Sequence, residues 1–151
     1  MPKEYRTVKE FNSDEYVVKR SRFIGYAKPV KTEKDALEFI EEIRKKHWDA
    51  THNVYAYSIR EGSVKRYSDD GEPARTSGLP TLSVIEHAEL KDVICVTTRY
   101  FGGTLLGTGG LVHAYGTAAS EAVQNAGLVL CRPCRRFEVR LTYADYQKWQ
   151  Q

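Results

Sequence analysis

Long apolar runs are missing from this chain of 151 residues. None approaches the roughly 18 residues that a membrane span needs, and the opening Met1-Pro2-Lys3-Glu4-Tyr5-Arg6 lacks the apolar core of a secretory signal. The expectation is a cytoplasmic protein with no membrane partner. Cysteine is scarce, and an odd total of three excludes a closed disulfide framework. Cys131 and Cys134 share the C-x-x-C spacing of redox pairs and zinc half-sites. No second pair of ligands completes a zinc set, and Pro133 marks a connection between elements, so both are read as reduced spectator thiols. The four histidines, His47, His52, His87 and His113, form neither H-x-x-H nor H-E-x-x-H. Each is assigned a hydrogen-bonded structural role, and neither a metal, a cofactor nor a catalytic residue is expected. A Gly-Lys-Ser/Thr phosphate loop and a dinucleotide fingerprint are also lacking. Charge of one sign does not dominate either: 23 basic against 20 acidic residues leave +3, too little by itself to mark a nucleic-acid binder.

What is present is locally uneven. Lys19-Arg20-Ser21-Arg22 and the group Arg132, Arg135, Arg136 and Arg140 are basic, Asp69-Asp70-Gly71-Glu72 is acidic, and between 101 and 130 only Glu121 is charged. A hydrophobic content of 41% supports one core. Residues 15–19 and 22–28 read as strands rich in β-formers. Thr32 and Asp35 resemble a capping box opening a helix over 33–47, with Ala36, Phe39, Ile40 and Ile43 on one stripe. Residues 53–60 alternate as a strand, 61–77 read as a long loop, and Pro80 fits the first turn of a helix that turns Leu82, Ile85 and Ala88 inward. The consecutive Val93, Ile94, Cys95 and Val96 indicate a central strand over 92–98 covered on both faces. A third helix is expected from about Leu111 to Ala126, capped by Gly127, with an alanine stripe that permits close packing. After Leu128–Leu130, the alternation of Phe137, Val139 and Leu141 predicts a strand followed by a helix start at Thr142–Asp145. One strand and one turn cannot bury their own apolar face. The expected organisation is therefore a domain over 1–133 and the truncated start of a second over 134–151.

The chemistry centres on Arg99-Tyr-Phe-Gly-Gly-Thr-Leu-Leu-Gly-Thr-Gly-Gly110, which joins the buried strand to the third helix. A helix N-terminus offers unpaired N–H groups and a positive dipole end. Arg99 supplies a charge, Thr104 and Thr108 supply hydroxyls, and Gly102, Gly103, Gly107, Gly109 and Gly110 let a backbone approach closely. On these grounds alone the stretch is balanced between a packing turn and an anion cradle. Phe101, Leu105 and Leu106 are expected to anchor it. Asp69, Asp70 and Glu72 suit either a magnesium loop or an Asx-turn around Gly71, and the turn is preferred. Lys19, Arg20, Ser21 and Arg22 are a candidate nucleic-acid contact, with Ser21 able to meet a phosphate.

Four motifs appear in order: Lys19-Arg-Ser-Arg-Phe-Ile-Gly25, Ala50-Thr-His-Asn-Val-Tyr-Ala-Tyr57, Ser68-Asp-Asp-Gly-Glu-Pro73 and Val96-Thr-Thr-Arg-Tyr-Phe-Gly-Gly103. Together they resemble the IMPACT family of YigZ-like proteins over residues 15–127. One departure is Arg75, where glycine is commoner before the threonine. The resemblance implies an α/β (α+β) two-layer sandwich with the fold of ribosomal protein S-five domain 2, similar to elongation factor G domain four. It also implies that residues from 134 open a ferredoxin-like domain. Eukaryotic members regulate translation under stress, competing for the activator of a kinase that phosphorylates an initiation factor. The function implied is a non-enzymatic regulatory protein that binds RNA, a ribosome-associated surface or a translation-related protein. The alternative is a binder of, or enzyme for, a phosphorylated small molecule held by the glycine loop 102–110.

Overall fold

The structure is a computed structural model that describes residues 3–150. Its centre is a five-stranded sheet whose neighbours all run antiparallel, in the order β2-β3-β6-β4-β5. The strands are β2 (Asn12–Val18), β3 (Ser21–Pro29), β4 (His52–Ile59), β5 (Val64–Ser68) and β6 (Val93–Tyr100). A separate pair, β1 (Tyr5–Val8) with β7 (Leu128–Cys131), ties the N-terminal segment to the segment after the last core helix.

Helices cover both faces of the sheet, so the domain has three layers rather than the two expected. β6 requires this arrangement, because a run of consecutive apolar residues exposes a water-avoiding surface on each side. Helix α1 (Glu33–Lys46) packs Ala36, Phe39, Ile40 and Ile43 against Tyr26, Tyr57, Ile94 and Val96. Thr32 caps it, its hydroxyl accepting from the Asp35 N–H at 3.1 Å. Helices α2 (Gly78–His87) and α3 (Gly107–Ala126) cover the other face over Ala27, Ala56, Val93 and Cys95. Leu82 and Ile85 point inward on α2 as expected, while Ala88 is its half-buried C-cap. Burial pushes the Cys95 thiol up to about 12, so it stays protonated and inert.

The alanine stripe of α3 lies directly on the sheet. A Cβ at Gly25 would come 2.6 Å from the Ala118 carbonyl oxygen, so β3 needs a glycine where the helix crosses it. Phe23 meets Tyr115 edge to face at 5.1 Å, an arrangement that adds about 0.5–1.5 kcal/mol beyond burial.

Three further expectations need correction. β5 lies inside the presumed loop 61–77; it is an exposed edge strand whose Lys65 and Arg66 carry no apolar alternation and keep other strands away. Helix α3 begins at Gly107, not Leu111, so three of the loop glycines belong to its first turn. Residues 137–141 form no strand, since no neighbouring strand offers them a ladder. A short helix α4 (Tyr143–Trp149) does follow, capped by Thr142, and no residue of it is buried. No helix among the described residues is long and apolar enough to cross a membrane.

Candidate functional site

The end of the sheet where β6 leaves the core gathers residues from five segments. His52 at the start of β4 stands opposite Arg99 near the end of β6 in the strand register. Arg99 is only 4% exposed, and one terminal nitrogen reaches both oxygens of Glu72 at 3.0 and 2.7 Å. Its other terminal nitrogen donates to the Ser21 hydroxyl at 3.2 Å. Tyr115 of α3 donates its hydroxyl to Glu72 at 2.6 Å. Burial, and then that bond, push the Tyr115 phenol far above its ordinary value, so it remains a donor. The guanidinium also lies 5.4 Å from the ring centroids of both Phe23 and Phe101.

His52 completes the cluster. Its Nδ1 is 2.7 Å from the Asp70 carbonyl oxygen and its Nε2 is 3.1 Å from a Glu72 oxygen. The ring is thus held by the Asp70 carbonyl on one side and lies against the Glu72 carboxylate on the other. Glu72 thus balances the Arg99 guanidinium. Its buried carboxylate accepts from an arginine and a phenol, which is what a carboxylate removed from water requires.

The acidic loop thus divides its labour. Asp69 accepts from the N–H groups of Arg75, Ser77 and Gly78 at 3.0, 3.2 and 2.8 Å and caps α2, whose N-cap Ser77 makes no side-chain capping bond. The Asp70 carboxylate accepts from the Asn53 N–H at 2.7 Å. Only Glu72 turns into the cluster. Arg75 has φ of 66°, the left-handed region where glycine is the unstrained choice.

The basic motif also splits. Lys19 and Arg20 form the exposed tip of the β2–β3 hairpin, both with positive φ. Ser21 is fully buried and accepts from the Gly102 N–H as well as from Arg99. Arg22 faces the opposite side of the sheet, paired with Glu15 and 5.3 Å from the Tyr100 ring centroid. A Cβ at Gly102 would sit 2.1 Å from the Arg20 carbonyl group, so this glycine lets the loop after β6 press onto the hairpin tip.

A cavity of about 380 Å³ opens beside the cluster, lined by His52, Glu72 and Arg99, by Phe101, Leu105 and Leu106, and by Gly107, Thr108 and Leu111 at the start of α3. Only Leu106 packs into the core; Phe101 and Leu105, expected as anchors, are 46% and 82% exposed. Among the loop glycines, Gly103 and Gly107 alone have positive φ. Thr104 is exposed, and Gly109 and Gly110 lie in the first turn of α3. Arg99 is therefore a buried ion-pair member on the cavity wall, not the free charge the sequence suggested. His87 and His113 are exposed on α2 and α3, with the His87 Nδ1 2.8 Å from the Ser83 carbonyl oxygen. His47 belongs to the other face of the sheet. Tyr115 escaped the sequence reading because one tyrosine in an alanine stripe looks like core.

Fold and site together define an α/β domain in which a glycine-led helix closes over a buried Arg–Glu–His–Tyr cluster. The chain belongs to the IMPACT family: the family described as the Impact N-terminal domain matches residues 19–123. IMPACT family member YvyE of Bacillus subtilis is 47% identical over 94% of this chain and 64% of its own length. IMPACT family member YigZ of Escherichia coli is 34% identical over 83% and 63%. The chain thus spans somewhat under two thirds of these relatives. The crystal structure of a hypothetical protein, 32% identical, superposes with a TM-score of 0.81 over 88% of this chain and 66% of that one.

Proposed function

We propose that this chain is a non-enzymatic regulatory binding domain linked to translation, whose partner is RNA or a ribosome-associated surface. The observation that carries the reading is the juxtaposition at one end of the domain. The exposed cations Lys19 and Arg20 sit on the glycine loop that presents Phe101 and Leu105 to solvent. Cations for the phosphate backbone beside apolar and aromatic surface for bases are the two ingredients of single-strand recognition. The nearby carboxylates of Asp69, Asp70 and Glu72 are held in internal hydrogen bonds, so they oppose an anionic partner less than their number suggests. Eukaryotic members of the family, to which translational regulation is ascribed, support the same direction.

The test is retention on RNA or ribosomes at low salt. Affinity is expected to fall log-linearly with salt, and Lys19→Ala with Arg20→Ala to reduce the slope by about one per lost phosphate contact. Absence of retention by the protein would overturn the reading. We also propose that residues 134–151 open a second domain. Phe137, Val139, Tyr143 and Trp149, exposed at 78%, 61%, 84% and 72%, form an apolar surface that a further domain would cover.

A further inference from the structure

We propose that the cavity at the N-terminus of α3 is a phosphate-monoester site for a nucleotide, presented as the 5′ end of an RNA strand or as a free 5′-mononucleotide. This rests on the RNA-binding reading and adds to it a defined seat for one terminal phosphate.

Four observations converge. First, the 20-residue helix α3 begins without a capping side chain and without an acidic residue in its first turn. Its leading N–H groups, from Gly107 to Gly109, have no intrahelical acceptor, and Gly107 and Thr108 line the cavity. Second, Arg99 forms part of the wall, is 4% exposed, and its Nε has no hydrogen-bond partner among the described residues. Buried guanidinium nitrogens are rarely left unmatched, so the donor capacity of this wall arginine is not fully used. Third, the Glu72 charge is matched by Arg99, so the wall shows no uncompensated acid, and His52 lies beside the pair as a further polar group on the wall. Glu72 is the sole acid on the wall and is already saturated. Fourth, the remaining lining is apolar, with Phe101 and Leu105 at the rim, which suits the flat face of a base.

A phosphate fits this arrangement better than a carboxylate. It carries up to two negative charges and three terminal oxygens for a set of donors that a two-oxygen group could not fill. The volume of about 380 Å³ falls at the small end of ligand pockets. The loop that brings Phe101 to the rim presses at Gly102 onto the hairpin tip of Lys19 and Arg20, where the next phosphates of a strand would pass.

Calorimetry with AMP, adenosine, inorganic phosphate and two ten-nucleotide RNAs, one 5′-phosphorylated and one 5′-hydroxyl, tests the proposal. AMP is expected to bind at least about tenfold more tightly than adenosine, a difference of about 1.4 kcal/mol. Inorganic phosphate should compete with AMP, and the 5′-phosphorylated RNA should exceed its 5′-hydroxyl twin by a similar factor. Thr108→Asp places a carboxylate where the phosphate would sit, at a helix start where an acidic residue stabilises the fold. It should abolish AMP binding and erase the difference between the two RNAs, while the 5′-hydroxyl RNA keeps its affinity to within a few-fold. Equal affinity for both RNAs together with no preference for AMP over adenosine would overturn the site and leave the RNA reading standing. Binding of AMP without either RNA would uphold the site, assign it to free mononucleotides and remove the RNA reading. Saturation by an acidic peptide that Thr108→Asp blocks, with none by AMP, would overturn the phosphate assignment.

Discussion

His47 and His52 lie five positions apart, on opposite faces of the same end of the sheet, and their surroundings differ in kind. His47, the C-cap of α1, is held between two phenols: its Nε2 is 2.6 Å from the Tyr26 hydroxyl and its Nδ1 2.7 Å from that of Tyr100. Tyr100 donates onward to Asp49, so it accepts from His47 Nδ1, and Nε2 in turn accepts from Tyr26. That is a neutral ring between two neutral phenols. Burial, and next the charge of Lys46, lower His47 below its ordinary value, in keeping with this state. His52 faces a carboxylate and a carbonyl, and belongs to a charged cluster that opens on a cavity. The neighbours Arg99 and Tyr100 on β6 supply the two faces separately, because successive side chains of a strand point to opposite sides. A pair of histidines that look alike in the sequence is thus divided into a structural pin and a member of a candidate ligand site.

Removing the central acid should break the comparison most severely. Glu72→Gln leaves Arg99 buried without its counter-charge and should destabilise the fold by about 3–5 kcal/mol in urea denaturation. A loss below about 1 kcal/mol would show the cluster to be electrostatically idle. Tyr115→Phe deletes one hydrogen bond to a charged acceptor and should cost about 1.5 kcal/mol by the same measurement. Arg75→Gly, in the loop that delivers Glu72, relieves a left-handed backbone while keeping the N–H bond to Asp69, and should gain about 0.5–1 kcal/mol. The smallest effect belongs to the other face. A histidine whose value is lowered on folding binds protons more readily in the unfolded chain. Its contribution is therefore complete above the ordinary value near 6.5 and is lost as the pH falls through it toward the folded value. His47→Gln should flatten the decline in melting temperature on acidification across that window, and an unchanged slope would place its origin elsewhere.

The layers were legible where one pattern dominates. The apolar run Val93–Val96 announced a strand covered on both sides, and the stripes of α1 and α3 announced what covers it. β5 was not legible, since an exposed edge strand of Val-Lys-Arg-Tyr-Ser carries no alternation. The site was half legible. Three of the motifs that carry the family resemblance contain His52, Glu72 and Arg99, yet nothing in their spacing says that these residues meet. Glu72 lies 27 positions from Arg99 and 43 from Tyr115, and only the register of β4 on β6 and the crossing of α3 bring them together. A linear motif likewise does not disclose that the charge of Arg99 already has a buried partner.

The most direct test is amide and histidine-ring NMR of the protein titrated with AMP and, separately, with adenosine. With AMP, the amides of Gly107, Thr108 and Gly109 and the ring of His52 should shift in a saturable way, while the ring of His47 stays in place; adenosine should leave the helix amides unmoved. Shifts confined to the hairpin tip at Lys19 and Arg20, or equal responses to the two compounds, would contradict a phosphate seat at the start of α3.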